Sequence, residues 1–87
     1  MSKYEISVEI GFWSQYDDLP KEIKKKFIKQ LSYLKDNPAH KSLQIHRIEG
    51  TDFWEFYVDK SYRCAFKIEG NIYKLYFVGT HKLIDRF

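Results

Sequence analysis

Arg63, His81 and Glu55 are the side chains best suited to chemistry, and alternation along the chain lets them share one surface. A guanidinium stays charged at any relevant pH, and its planar fork can bind two phosphate oxygens. An imidazole titrates near neutrality and can act as acid or base. A carboxylate can accept a proton. Cutting RNA without a metal calls for a base to take the 2′-hydroxyl proton, a cation for the charge that grows on phosphorus, and an acid for the departing 5′-oxygen. Tyr57 and Tyr76 offer rings on which unstacked bases can lie. Each assignment has a plainer alternative. Arg63 can be an ordinary cross-strand ion pair, Glu55 its partner rather than a base, and His81 a loop hydrogen-bonder.

These residues depend on a meander for their placement. Phe53 to Val58, Tyr62 to Ile68 and Ile72 to Val78 read as strands separated by Asp59-Lys60-Ser61 and Gly70-Asn71. Gly70-Asn71 suits a two-residue hairpin because both residues tolerate positive φ; it sets Phe66 opposite Leu75 and Cys64 opposite Phe77. A three-residue loop at Asp59-Lys60-Ser61 sets Phe56 opposite Cys64 and Trp54 opposite Phe66. With period-two alternation, one face then collects Trp54, Phe56, Val58, Tyr62, Cys64, Phe66, Ile68, Tyr73, Leu75 and Phe77 as core. The other collects Glu55, Tyr57, Arg63, Ala65, Lys67, Lys74, Tyr76 and Val78, a mixture expected to meet solvent or a polyanion.

The preceding half supplies the cover. Tyr4, Ile6, Val8 and Ile10 alternate with polar residues as in a half-buried strand. Phe12, Trp13, Tyr16 and Leu19 recur at helical spacing. Asp18 is positioned to cap a second helix carrying an early Pro20, with Ile23, Phe27, Ile28, Leu31 and Leu34 as its apolar stripe and Asn37-Pro38 as its stop. Lys21, Lys24, Lys25, Lys26, Lys29 and Lys35 fill much of the remaining surface of that helix. They form a solvated face, or alternatively an RNA or ribosome contact. Ala39 to Glu49 is a polar connector anchored by Leu43, Ile45 and Ile48. The order strand, two helices, three strands predicts a two-layer α+β domain in which the helix hairpin packs on the apolar face of an antiparallel-rich sheet.

Composition narrows the classes. The 87 residues are read as one domain, and a chain of this size buries about 60 to 65% of the surface exposed when unfolded. Aromatics make up 18% of residues, which lets a small core bury large rings. Cys64, the single cysteine, falls on the apolar face and is expected to be an inert buried thiol. His40 and His46 have weaker claims than His81, and with Cys64 inside, the histidines show no zinc-ligand spacing; no metal or cofactor is expected. The chain lacks a phosphate-cradling glycine loop, a Gly-x-Ser-x-Gly elbow and paired catalytic carboxylates. No basic leader precedes an apolar run and no segment approaches the length of a membrane span, so a cytoplasmic protein is expected. A net charge of +3 permits nucleic-acid partners without demanding them.

Leu34-x-x-Asn37-Pro38, Ile48-x-Gly50, Phe53-Trp54-Glu55-Phe56-Tyr57-Val58, Tyr62-Arg63 and Val78-Gly79-Thr80-His81-Lys82 together resemble the RelE/ParE superfamily of toxins from type II toxin-antitoxin systems. The resemblance spans nearly the whole chain, and residues 1–87 are read as a single toxin domain of that kind. It implies a compact sheet with two helices on one side, a cognate antitoxin that wraps the toxin in a hetero-oligomer, and, in the RelE branch, cleavage of mRNA on the ribosome. It assigns Arg63 to the scissile phosphate and gives His81 and Lys82 a part in catalysis and phosphate contact. Tyr57, Lys67, Lys74, Tyr76, Arg47 and Arg86 are the remaining candidate RNA contacts. The chain departs from RelE at Glu55 and Tyr57, which stand where RelE carries two lysines, and at Ile84, where many members carry a tyrosine. A ParE-like gyrase inhibitor, or a member that only binds a partner, are the alternatives the same resemblance allows.

Overall fold

A computed structural model describes residues 4–84 of the chain. The first strand, β1 (Glu5–Val8), leads into α1 (Phe12–Asp17) and α2 (Lys21–Asp36), which form the helix hairpin. A 3₁₀ turn (Lys41–Leu43) and the short strand β2 (His46–Arg47) follow. The meander is β3 (Trp54–Tyr57), β4 (Tyr62–Glu69) and β5 (Ile72–Thr80), closed by a single helical turn, α3 (His81–Ile84). The sheet has five strands in the order β1-β5-β4-β3-β2. β1 lies parallel to β5, as the long helical crossover between them allows, and the other pairs are antiparallel.

The core lies between the helix hairpin and one face of the sheet. Phe12, Phe27, Phe56 and Phe66 are fully buried. Their rings form a relay from α1 through α2 and β3 to β4, with centroids 5.7, 6.2 and 5.8 Å apart. Burying each phenylalanine contributes roughly 1.5 to 3 kcal/mol. Cys64 is buried among them, and desolvation pushes its thiol well above the ordinary range.

In α2 the buried stripe is Ile23, Phe27, Gln30 and Leu34. Ile28 was expected on that stripe but is 52% exposed. The helix turns about 100° per residue, so a residue five places after Ile23 falls roughly 140° round the axis. Gln30 occupies the place on the stripe that fits the period. Its buried amide is satisfied: Nε2 donates to the carbonyls of Ser42 (3.1 Å) and Tyr57 (2.8 Å), and Oε1 accepts from Ser42 Oγ (3.2 Å). The residue thus ties α2 to the 3₁₀ turn and to the end of β3. Asp18, expected to cap α2, instead ends α1; Pro20 precedes the first turn of α2 and no side chain caps it. Ile10 lies beyond the end of β1 and is fully exposed, because the strand stops at Val8.

The β3–β4 register is as expected, with Trp54 opposite Phe66 and Phe56 opposite Cys64. Gly70 turns with φ 60°, and Phe66 faces Leu75. Beyond that point the expectation fails: Cys64 pairs with Val78, not with Phe77, because a bulge between Ala65 and Phe66 adds a residue to β5. An inserted residue reverses the alternation past it. Val78 therefore belongs to the core, and Phe77 moves to the second face.

That second face is not simply open, as the alternation had suggested. Glu55, Arg63 and Ala65 on it are all buried. Phe77 lies 5.8 Å from Phe53, and Phe53 sits edge-on to Tyr76 at 5.2 Å. α3 folds back along β4 and β5. At Gly79 a Cβ would come within 2.7 Å of Leu83 Cδ2, so glycine lets α3 close on the strand there.

Candidate functional site

Pairing places the candidate side chains in rows. His46 on β2 stands opposite Glu55 on β3, which stands opposite Ala65 on β4. One step toward the end of the sheet, Tyr57 faces Arg63 and Arg63 faces Gly79. Paired residues point to the same side, so His46, Glu55, Tyr57 and Arg63 share the second face.

Arg63 is held tightly at the turn between β3 and β4. Its Nη1 donates to the carbonyls of Asp59 (2.8 Å), Lys60 (2.9 Å) and Tyr62 (3.2 Å), and its guanidinium carbon lies 3.5 Å from the centre of the Tyr57 ring. The turn is itself built around Asp59, whose Oδ1 accepts from the amides of Ser61 (2.8 Å) and Tyr62 (2.9 Å). Asp59 therefore braces the turn whose carbonyls hold Arg63. Asp59 Oδ2 faces Lys26 on α2 at 3.7 Å.

Glu55 does not pair with Arg63. Its Oε1 lies 2.8 Å from His46 Nε2, and the other ring nitrogen, Nδ1, lies 2.8 Å from the carbonyl of Gln44. A carbonyl only accepts, so Nδ1 carries a proton. The contact to Glu55 then needs another proton, on Nε2 or on Oε1. With that proton on Nε2, Glu55 is a carboxylate whose second oxygen is uncommitted. Indeed, Glu55 Oε2 and Arg63 Nε are the buried side-chain atoms without a hydrogen-bond partner among the described residues. A buried orphan costs about 1 to 3 kcal/mol and calls for an explanation, of which a catalytic role is one.

His46 is the residue that sequence spacing undervalued. Its flanking anchors Ile45 and Ile48 and the turn at Gly50 held the signal: a short strand pairing back on β3 brings His46 against Glu55. Its ring also stands edge-on to Tyr57 at 6.2 Å.

His81 starts α3 and is exposed; its amide donates to the carbonyl of Ser61 at 2.7 Å. That backbone bond ties the start of α3 to the loop whose carbonyls hold Arg63. Lys82 beside it is exposed. The other candidate contacts scatter. Lys67 lies over the rings of Phe53 (4.9 Å) and Tyr76 (5.4 Å), toward the opposite end of the sheet. Lys74 is engaged by Glu69 at 2.9 Å and Glu9 at 3.7 Å, and the hydrogen bond to Glu69 holds its ammonium above the ordinary range. Arg47 donates through Nε to the carbonyl of Thr51 and approaches Asp52 at 3.5 Å. Arg86 lies outside the described residues. Among the described residues no cluster of three or more His, Cys, Asp or Glu side chains could hold a metal ion, and no helix is long and apolar enough to cross a membrane.

No family model and no curated protein matches the chain. Solved structures do. The DinJ-YafQ toxin-antitoxin complex of E. coli contains a chain with TM-score 0.76 at 15% identity, covering 93% of this chain and 96% of that one. An archaeal RelE-RelB complex from Pyrococcus horikoshii OT3 gives 0.73 at 17% identity, over 88% and 93%. A YoeB/ParE toxin from Agrobacterium tumefaciens gives 0.70 at 12% identity, over 88% and 98%. The fold is that of the RelE-like toxins.

Proposed function

We propose that this chain is the toxin of a toxin-antitoxin pair, and that it arrests translation by cutting mRNA on the ribosome until an antitoxin binds and neutralises it. The fold supports the toxin role, since the structures it resembles include a toxin solved with its antitoxin. The observation that carries the catalytic reading is the pair of buried, unpartnered atoms, Glu55 Oε2 and Arg63 Nε, on one face of the sheet.

In this mechanism Glu55, oriented by His46, takes the proton of the 2′-hydroxyl. The resulting oxygen attacks phosphorus, and Arg63 stabilises the charge that builds on the phosphoryl oxygens. The bond to the 5′-oxygen breaks, and His81 donates the proton that this leaving group needs. The products are a 2′,3′-cyclic phosphate and a free 5′-hydroxyl. No lysine pair is required, because the carboxylate of Glu55 does the base's work and the Arg63 guanidinium carries the positive charge. Tyr57 supports Arg63 from below. Lys82 contacts a neighbouring phosphate.

Induced expression without antitoxin, with mapping of 5′ ends on translated messages, tests this. Cuts within reading frames and growth arrest, both lost in Glu55→Gln, are expected. Arrested growth with intact messages would sink the RNA reading, and inhibition of purified gyrase supercoiling would replace it.

A further inference from the structure

A groove between α2 and the β3–β4 turn holds none of the groups that act on the substrate in the chemistry above. It has a volume of about 370 Å³, and its lining includes Lys26 and Lys29 from α2, Lys60 from the turn, and Ser42, Gln44 and Tyr57. Three lysines line one cleft there. The one carboxylate in the lining, Asp59, meets Lys26 only at 3.7 Å and spends its other oxygen on the turn amides. The cleft therefore keeps an excess of positive charge, and a concave low-dielectric wall focuses such a field on an anion.

The wall is built rather than incidental. Gln30 behind it is buried and fully bonded to Ser42 and Tyr57. Gln44 has φ 45°, the one positive value at a non-glycine residue among the described residues. Such a backbone costs of order 1 to 3 kcal/mol. In that conformation its carbonyl meets His46 Nδ1 while the residue lines the groove. Tyr57 likewise lines the groove and carries Arg63 on its ring. Tyr57 and Gln44 thus belong both to the groove lining and to the contacts of Arg63 and His46.

We propose that this groove holds the phosphodiester backbone of single-stranded RNA on one side of the bond that is cut, with Lys26, Lys29 and Lys60 each meeting a phosphate. The inference rests on the RNA reading for its ligand, but not on cleavage. The sharing of Tyr57 and Gln44 between the groove and the contacts of Arg63 and His46 favours an RNA strand over an acidic protein segment, which is the competing occupant.

The probe is a short unstructured RNA with 2′-O-methyl groups, which cannot be cut, followed by fluorescence anisotropy over a range of salt concentrations with the purified chain. For single strands each phosphate contact contributes about 0.7 to the slope of log K against log salt. Lys26→Gln, Lys29→Gln and Lys60→Gln together should lower the slope by about 2. Lys21→Gln, Lys25→Gln and Lys35→Gln, exposed lysines on the same helix outside the groove lining, should leave it nearly unchanged. Equal losses in both triple variants would overturn the proposal in favour of diffuse charge. Tighter binding of polyglutamate of matched charge than of the RNA, lost in the groove triple variant, would overturn it in favour of an acidic protein segment. Retained binding with intact messages in the cell would defeat the cleavage reading alone, and persisting Glu55-dependent cuts with an unchanged slope would defeat the groove alone.

Discussion

Arg63 combines two properties that rarely coincide: it is a buried cation, and its partners are backbone carbonyls rather than a carboxylate. A counter-ion would neutralise it for catalysis, whereas carbonyls fix its position and leave its full charge for a phosphate. Arg63→Lys keeps the charge but loses the fork and the flat contact with Tyr57. It should lower cleavage by about 10² to 10³, the scale seen on losing one pre-organised donor, with a smaller effect on stability. Single-turnover kinetics beside a denaturant titration separates the two. Glu55 and His46 call for different variants. Glu55→Gln should cost activity by roughly 10² to 10⁴ with little loss of fold, since an amide oxygen can still accept from His46. His46→Ala leaves both oxygens of a buried carboxylate unpartnered and should destabilise the chain by about 1 to 3 kcal/mol, read from the denaturation midpoint. A His46→Ala variant as stable as the parent would show that the contact to Glu55 contributes nothing.

The turn and the bulge decide the site among the elements. Asp59 accepts from two amides of the β3–β4 turn, and Arg63 hangs from the carbonyls of that turn. Asp59→Ala should therefore cost about 1 to 2 kcal/mol and also reduce cleavage, although Asp59 touches no reacting atom in the proposed mechanism. Unchanged activity in a stable Asp59→Ala chain would mean that Arg63 is positioned by Tyr57 alone. The bulge in β5 gives a sharper test, because it exchanges the roles of neighbouring residues. Val78→Asp puts a charge into the core and should cost more than about 3 kcal/mol, while Phe77→Gln, on the second face, should cost less than half as much. Thermal denaturation of both variants would show the reverse order if β5 ran without its bulge. Alternation along β5 could not reveal this. A bulge is set by how one strand must bend against its neighbours, and no residue between Leu75 and Phe77 announces it.

For the molecule as a whole, burial of Cys64 predicts a thiol that does not react with a small disulfide reagent in the native chain and titrates at one equivalent in denaturant. Fast native labelling would mean that the helix hairpin opens readily from the sheet. Much of the architecture was legible in the sequence. The alternation of Tyr4 to Val8, the spacing of Ile23, Phe27 and Leu34 and the loops at Asp59-Lys60-Ser61 and Gly70-Asn71 rest on local patterns, which sequence carries directly, and the element order allowed the first strand to join the meander. The place of Arg63 was legible only in part: the turns put it on the second face of β4, but the bulge sets it opposite Gly79 rather than Val78, and the face around it is buried. The partner of Glu55 was not legible. Whether a carboxylate meets Arg63 on β4 or His46 on β2 depends on which neighbouring strand brings a group within hydrogen-bonding distance, and β2 is only two residues long, too short for alternation to declare it. The burial of the second face was hidden for the same reason: α3 and the ring of Phe77 cover it only after the bulge and Gly79 let them approach. Sequence by itself determined the layers and the turns; tertiary structure alone decided which groups Arg63 and Glu55 would meet, because such contacts join segments distant in the chain and depend on their mutual fit.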